Sequence, residues 1–78
     1  MEKFVTLRLP EYDVGQIIDG LTERMIIWKT TEEILETGFS HLGDIIEECS
    51  DSQEARFIAN CYEKIVDLIN KQLENQRL

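Results

Sequence analysis

Apolar residues recur every three or four positions over two long segments of this 78-residue chain, which is the period of an amphipathic α-helix. The first stripe comprises Val14, Ile17, Ile18, Leu21, Met25 and Trp28. The second lies on a helix predicted from about Ser52 to Leu73 and comprises Ala55, Ile58, Tyr62, Ile65, Val66, Ile69 and Leu73. We expect this last helix to pack antiparallel on the first, as a helical hairpin. The chain would then form one small, mainly α-helical domain over residues 1–78.

The sequence leaves two alternatives for the end of the first helix. Thr30-x-x-Glu33 has the form of a capping box, so the first helix can end near Lys29 and a short second one begin there. On the other alternative, one long helix runs to Thr37. Gly38 ends the helical stretch on both alternatives, because glycine adopts the left-handed cap conformation without steric cost.

Residues 3–9, ahead of the first helix, have the alternating pattern of a short β-strand, which Pro10 ends. Pro10 also suits the first position of a helix, and the acids Glu11 and Asp13 suit the positive end of the helix dipole. The strand places Val5, Leu7 and Leu9 on one side and Phe4, Thr6 and Arg8 on the other. The sequence therefore predicts an N-terminal strand followed directly by a helix.

The residues between the two helices are predicted to form a turn and a short helical piece. Phe39–Gly43 contains the turn, and Asp44–Cys49 is the candidate helical piece. Ser50-x-x-Gln53 and Asp51-x-x-Glu54 are two overlapping capping boxes. They predict the start of the last helix.

Some apolar residues lie outside the two stripes, and a hairpin of two helices cannot bury them all. They are Ile26 and Ile27 on the first helix, and Phe57, Cys61 and Leu68 on the last. One interpretation is that the segment Phe39–Cys49 folds over them. The other, which we favour, is a self-association surface at Ile26, Ile27, Phe57 and Leu68, because a domain of this size buries only about 60% of its extended-chain surface. We therefore predict a homodimer.

The middle of the chain is strongly acidic. The whole sequence has 16 acidic and 8 basic residues, a net charge of −8, and residues 30–55 contain no Lys or Arg. Such a segment repels phosphate and anionic lipid, so we expect a basic protein as partner, and neither nucleic acid nor a membrane. The candidate partner-binding residues, which we call the acidic zone, are Glu32, Glu33, Glu36, Glu47, Glu48 and Asp51.

The sequence lacks the residue groupings that catalysis, a cofactor or a metal would need. Its single histidine, His41, is predicted to lie in a turn, and no Gly-rich phosphate loop or Glu-x-x-His metal motif occurs. We expect Cys61 to pack in the core. Cys61 and Cys49 should both be free thiols of a cytoplasmic protein, because the sequence has no signal-peptide pattern and no apolar run of membrane length. We therefore predict no enzyme, no catalytic residue, no cofactor and no metal.

The segment Val5-Thr6-Leu7-Arg8-Leu9-Pro10-Glu11, followed by a helix, resembles the opening of ribbon-helix-helix DNA-binding proteins. The resemblance implies that two strands pair across a dimer axis and enter the major groove of DNA. It further implies that Phe4, Thr6 and Arg8 read bases and that Val5, Leu7 and Leu9 lie in the core. A dimeric DNA-binding regulator that uses the N-terminal strand is therefore the alternative function.

Composition and charge together favour a non-enzymatic binding function. We expect a small acidic accessory, regulatory or inhibitory protein that docks on a basic protein surface, such as that of a nucleic-acid-binding protein. Acidic proteins of this size can mimic the charge of nucleic acid, as some mobile-element inhibitors do. A structural subunit of a larger assembly is a third class.

Overall fold

Two α-helices joined by a connecting segment make up the fold. The structure is a computed structural model, and it describes residues 2–43 and 45–77. Helix α1 spans Glu11–Thr37 and helix α2 spans Ser52–Arg77. The predicted mainly α-helical fold is therefore confirmed.

The two helices pack against each other in antiparallel orientation. Arg56, near the start of α2, lies 3.1 Å from Glu36, near the end of α1. At the other end of the molecule, Arg77 pairs with Glu11. Ion pairs at both ends require a hairpin, so this part of the prediction is also confirmed.

Helix α1 is continuous through the position where the sequence offered a break. The hydroxyl of Thr30 donates a hydrogen bond to the carbonyl of Ile26, and that of Thr31 donates to the carbonyl of Ile27, each over 2.8 Å. A threonine that bonds to the carbonyl four residues earlier does not cap the start of a new helix. The alternative of a break near Lys29 is therefore wrong, and the longer helix is confirmed.

Gly38 ends α1 as predicted. Its φ angle is 81°, in the left-handed region, and its backbone N–H donates a hydrogen bond to the carbonyl of Ile34 over 2.8 Å. Glycine reaches this region without steric cost, whereas a residue with a Cβ atom is strained there.

We expect Gly38→Ala to lower the free energy of unfolding by about 1 kcal/mol or more, because alanine must adopt the left-handed conformation. Gly20→Ala is the matched control. Gly20 lies inside α1, and no neighbouring atom comes within 4 Å of where a Cβ would stand, so alanine there should raise the free energy of unfolding by up to ~1 kcal/mol. Urea denaturation followed by circular dichroism measures both changes. Equal effects at the two positions would contradict the cap at Gly38.

Of the two capping boxes predicted ahead of α2, the N-cap at Asp51 is confirmed, and Glu54 bonds to Ser50 instead of completing the box with Asp51. A carboxylate oxygen of Asp51 accepts a hydrogen bond from the backbone N–H of Glu54 over 2.8 Å, as an N-cap does. The Glu54 carboxylate accepts from the backbone N–H of Ser50 over 3.0 Å and from its hydroxyl. The hydroxyl, and after it the backbone N–H, lower the pKa of Glu54 by stabilising its charged form. Helix α2 then continues to Arg77, beyond the predicted end at Leu73.

The core between the helices is small and lies near the closed end of the hairpin. Its buried residues are Trp28 on α1 and Ala55 and Ala59 on α2, and Cys49, Ile58 and Tyr62 pack against them. The methyl side chains of the two alanines let the helices approach each other closely. The predicted stripes therefore face each other, but they enclose few large side chains.

Residues 2–10 form no regular secondary structure in the single chain. Phe4, Val5 and Leu7 are 93%, 84% and 74% exposed. A strand needs a neighbouring strand to satisfy its backbone hydrogen bonds, and the described residues contain none. The strand predicted from Lys3 to Leu9 is therefore not confirmed.

The connecting segment between the helices lies along α1. Its residues 45–49 are irregular, so the helical piece predicted for Asp44–Cys49 does not form there; Asp44 itself lies outside the described residues. The backbone N–H of Glu47 donates a hydrogen bond to the hydroxyl of Thr31 over 2.9 Å. Thr30 and Thr31 are buried, with 2% and 0% exposure. Packing on α1 thus replaces the expected helical turn.

The molecule is long and thin. It measures 44 × 31 × 18 Å with a radius of gyration of 14.9 Å, whereas a compact domain of this length has a radius of about 11–12 Å. Its accessible surface is 6563 Å². That area exceeds by about a third the roughly 4,900 Å² expected of a compact monomer of 9.1 kDa. The single chain therefore leaves much apolar surface exposed.

Candidate partner-binding surface

The acidic zone is divided between three parts of the fold. Glu32, Glu33 and Glu36 lie on the last turns of α1, Glu47 and Glu48 lie in the connecting segment, and Asp51 is the N-cap of α2. Because the connecting segment is irregular, these residues do not share one helical face. The hairpin brings Glu32 and Glu36 beside Arg56 at its closed end, whereas Glu47 lies further back along α1, beside Arg24 and Thr31.

Arg56 of α2 neutralises two members of the zone. Its guanidinium donates hydrogen bonds to the carboxylates of Glu32 and Glu36, the second over 3.1 Å. Only 18% of the Glu32 side chain is exposed. The hydrogen bond that Arg56 donates to Glu32, and then the charges of Glu32 and Glu36, raise the pKa of Arg56. These two ion pairs join the end of α1 to the start of α2.

Arg24 of α1 neutralises a third member, Glu47, over 2.9 Å. The Tyr62 side chain, and after it the Glu47 carboxylate, raise the pKa of Arg24 by hydrogen bonding. The backbone N–H of Glu47 bonds to Thr31 at the same time. Glu47 therefore holds the connecting segment on α1 through both its backbone and its side chain.

Among the described residues, three members of the zone keep a charge that no cation pairs with, and one of them, Asp51, serves as the N-cap of α2. Within residues 2–43 and 45–77, Glu33 and Glu48 make no ion pair. The sequence could not show this division, because Arg24 and Arg56 lie outside residues 30–55 and reach the zone only through the hairpin. Glu33 and Glu48 are therefore the members best placed to act on a partner.

Ile26 and Ile27 lie next to the connecting segment. They line a cavity of about 310 Å³ together with Glu23, Thr30, Leu42, Gly43 and Ile45. Ile27 is half-buried, whereas Ile26 is 37% exposed. The connecting segment thus covers part of this surface, as the first interpretation of the surplus apolar residues required, and leaves Ile26 accessible.

Phe57, Cys61 and Leu68 lie on the side of α2 that faces away from α1. Phe57 is 68% exposed and Leu68 is 58% exposed. Cys61 is exposed too, so the prediction that it packs in the core is wrong. The reason is its helix position: Ala59 faces α1, and a step of two residues turns the side chain by about 200°. Cys49 is the thiol that packs against the core.

A groove of about 630 Å³ opens at the other end of the hairpin, between the N-terminal segment and the ends of both helices. Its apolar lining comprises Val5, Leu7, Leu9, Val14, Ile17, Ile69 and Leu73, and Arg8 and Arg77 are among its polar residues. Leu9 and Ile17 remain 47% and 43% exposed. The N-terminal segment therefore covers the helix ends only loosely.

His41, the single histidine of the sequence, lies in the connecting segment after α1. His41 contacts Phe39 edge-on, with the two ring centroids 5.1 Å apart. Among the described residues, no three His, Cys, Asp or Glu side chains are grouped so as to hold a metal ion. Those residues also contain no helix of the length and apolarity that crossing a membrane requires.

Comparison with known proteins identifies no family. No protein-family model matches the sequence, no curated protein is significantly similar to it, and no solved structure matches it.

Proposed function

We propose that this protein is a non-enzymatic binding module that docks on the basic surface of another protein and regulates or inhibits it. The observation that carries the proposal is the distribution of charge. The net charge is −8, and Glu33 and Glu48 have no cation beside them among the described residues. A basic groove that binds nucleic acid is the kind of protein surface that this charge complements.

The acidic zone acts mainly on the encounter between the two proteins. Opposite charges attract over roughly a Debye length, about 8 Å at physiological salt, and this attraction raises the association rate constant. A stable contact between the two proteins also requires that apolar surface becomes buried. Leu35 lies among Glu32, Glu33 and Glu36 on α1 and is 47% exposed, so it supplies such area within the zone.

Affinity capture from the source organism, followed by mass spectrometry, should recover a basic, nucleic-acid-binding protein. With that partner, Glu33→Lys/Glu48→Lys should lower the association rate constant by about tenfold and change the dissociation rate constant much less. Surface plasmon resonance measures both constants. The difference from the wild type should vanish at about 0.5 M salt, where the Debye length is only a few Å.

The matched control is Glu2→Lys/Glu74→Lys, which changes the net charge by the same amount at exposed positions outside the zone. It should slow association less than the substitutions in the zone do. Equal slowing in the two variants would show that net charge alone acts on the partner. Unchanged kinetics in Glu33→Lys/Glu48→Lys would contradict the proposal.

A dimeric DNA-binding regulator is the alternative function. Phe4, Thr6 and Arg8, to which the resemblance gives base contacts, are exposed in the structure. The acidic zone opposes this alternative, because Lys or Arg must contact DNA phosphates to supply most of the affinity. Enrichment of one DNA sequence by the purified protein would favour it over the protein-binding proposal.

We further propose that the chain works as a homodimer, with Ile26, Ile27, Phe57 and Leu68 as candidate contact residues. The excess of accessible surface over that of a compact monomer supports this proposal. A second copy would also offer a pairing strand to residues 3–9. Light scattering coupled to size exclusion should give a mass above the 9.1 kDa of the monomer at micromolar concentration.

A further inference from the structure

The side of α2 that faces away from α1 carries a stripe of side chains at spacings of three and four. This stripe, which we call the outer face of α2, runs through Glu54, Phe57, Cys61, Lys64, Leu68 and Lys71. Ala55 and Ala59, on the opposite side of α2, are buried against α1. The connecting segment covers part of the far side of α1, where it buries Thr30 and Thr31. On the outer face of α2, by contrast, the large apolar residues Phe57 and Leu68 remain 68% and 58% exposed.

The two ends of this face carry opposite charges. Glu54 stands at its N-terminal end and Lys71 at its C-terminal end, and Phe57 and Leu68 are the large apolar residues between them. The point halfway between Glu54 and Lys71 along the helix is also halfway between Phe57 and Leu68. If a second α2 lies antiparallel with the symmetry axis at that midpoint, each acid meets a base and each phenylalanine meets a leucine. The face is therefore complementary to itself in the antiparallel orientation.

The amount of exposed surface fits such a contact. A standard interface removes about 800 Å² from each partner, and the 6563 Å² of the single chain exceeds the surface of a compact monomer by more than that amount. Phe57 and Leu68 are the large exposed side chains that the contact would bury. A two-helix layer 18 Å thick would become a four-helix assembly in which both sides of α2 are covered.

We propose that the outer face of α2 is the surface on which a second copy of this chain packs, in antiparallel orientation, with Phe57 beside Leu68 of the second copy and Glu54 beside Lys71 of the second copy. The assignment rests on the proposed self-association and gives it a location. Cys61 and Lys64 lie next to the symmetry axis. The Cys61 thiol becomes buried in the dimer, while the Lys64 side chain extends along the contact to keep its ammonium group in water.

Two substitutions test this arrangement, because each changes one side of the same contact. Phe57→Lys places a cation against Leu68, and Leu68→Glu places an anion against Phe57. Each variant alone should have a dimer dissociation constant raised by about tenfold or more. An equal mixture should associate again, since the heterodimer keeps one native contact and gains one ion pair. Sedimentation velocity of each variant and of the mixture measures this recovery.

Asn70→Glu is the matched control for Leu68→Glu. Asn70 is exposed and lies two residues further along α2, on a different side of the helix, so the dimer should be unchanged. Circular dichroism of each variant checks the fold, and both target side chains are largely exposed, which keeps the cost to the single chain small.

A second measurement leaves the outer face unsubstituted. In the Cys49→Ser variant, alkylation of Cys61 should slow as the protein concentration rises through the dimer dissociation constant, because the thiol becomes buried. An alkylation rate that is independent of concentration, in a sample that does dimerise, would overturn the assignment.

The outcomes separate this inference from the proposed function. Unchanged dimerisation in both Phe57→Lys and Leu68→Glu would overturn the assignment to α2 and place self-association on another surface, with residues 2–10 the next candidate. Folded variants whose mixture does not recover the dimer would overturn the antiparallel arrangement. A wild-type monomer at every concentration would overturn self-association itself, and binding through the acidic zone would still be testable by the charge reversals.

Discussion

Replacing Trp28 with alanine is expected to lower the free energy of unfolding by about 3–5 kcal/mol. Trp28 is 8% exposed and is the one large side chain among the buried core residues; Ala55 and Ala59 are too small to fill the space that it would leave. A chain of this length has a total stability of about 4–12 kcal/mol, so the variant would be partly unfolded in buffer. Urea denaturation followed by far-ultraviolet circular dichroism measures the loss.

Trp28→Phe is the control. Its loss in the free energy of unfolding should be smaller than that of Trp28→Ala by at least about 2 kcal/mol. The indole N–H of Trp28 is buried and makes no hydrogen bond among the described residues, and an unsatisfied buried donor costs about 1–3 kcal/mol. Phenylalanine keeps most of the aromatic packing and removes that donor. If phenylalanine were as damaging as alanine, the shape of the indole ring, rather than apolar burial, would be what the core requires.

Thr31→Val should lower the free energy of unfolding by about 1–3 kcal/mol, because it removes the acceptor for a backbone donor. The Thr31 hydroxyl is fully buried and accepts the hydrogen bond of the Glu47 backbone N–H over 2.9 Å. Valine has nearly the same shape but no oxygen, so the connecting segment loses its anchor on α1. Urea denaturation gives the stability, and amide hydrogen exchange at Glu47 should become faster.

Thr30→Val is the matched control. Thr30 is as buried as Thr31 and also bonds to the carbonyl four residues earlier, but no hydrogen bond links its hydroxyl to the connecting segment. Since the Ile26 carbonyl is in a regular helix, the loss should stay within about 0.5 kcal/mol. Equal losses at the two positions would show that the bond between Thr31 and Glu47 contributes nothing special to the fold.

The parts of the fold that depend only on residues close together in the sequence were predictable. The two stripes, the cap at Gly38 and the N-cap at Asp51 belong to this class, because periodicity and capping act within a few residues. The path of α1 past Thr30 was ambiguous. A threonine either caps a helix or bonds to an earlier carbonyl, and packing of a distant segment decides between the two.

The candidate site was only partly predictable for the same reason. The acidic content of residues 30–55 is visible in the sequence, but Arg24 and Arg56 come beside the zone only when the hairpin closes. In the sequence, Cys61 borders an apolar stripe, and this position predicts packing in the core. Its direction depends on which side of α2 faces α1, and the small side chains of Ala55 and Ala59 determine that side.

The ion pairs along the hairpin also help to fix the alignment of α2 on α1. Ala55 and Ala59 are one turn apart, so a slide of α2 by one turn, about 5.4 Å, would put one alanine in place of the other. It would also bring Asp51 or Glu63 into the second buried alanine site. The same slide would separate Lys29 from Glu63, now 4.0 Å apart, and Arg77 from Glu11. Exposed ion pairs add little stability one by one, but a slipped hairpin would lose them together. The charged side chains and the two buried alanines thus favour the same alignment of the helices.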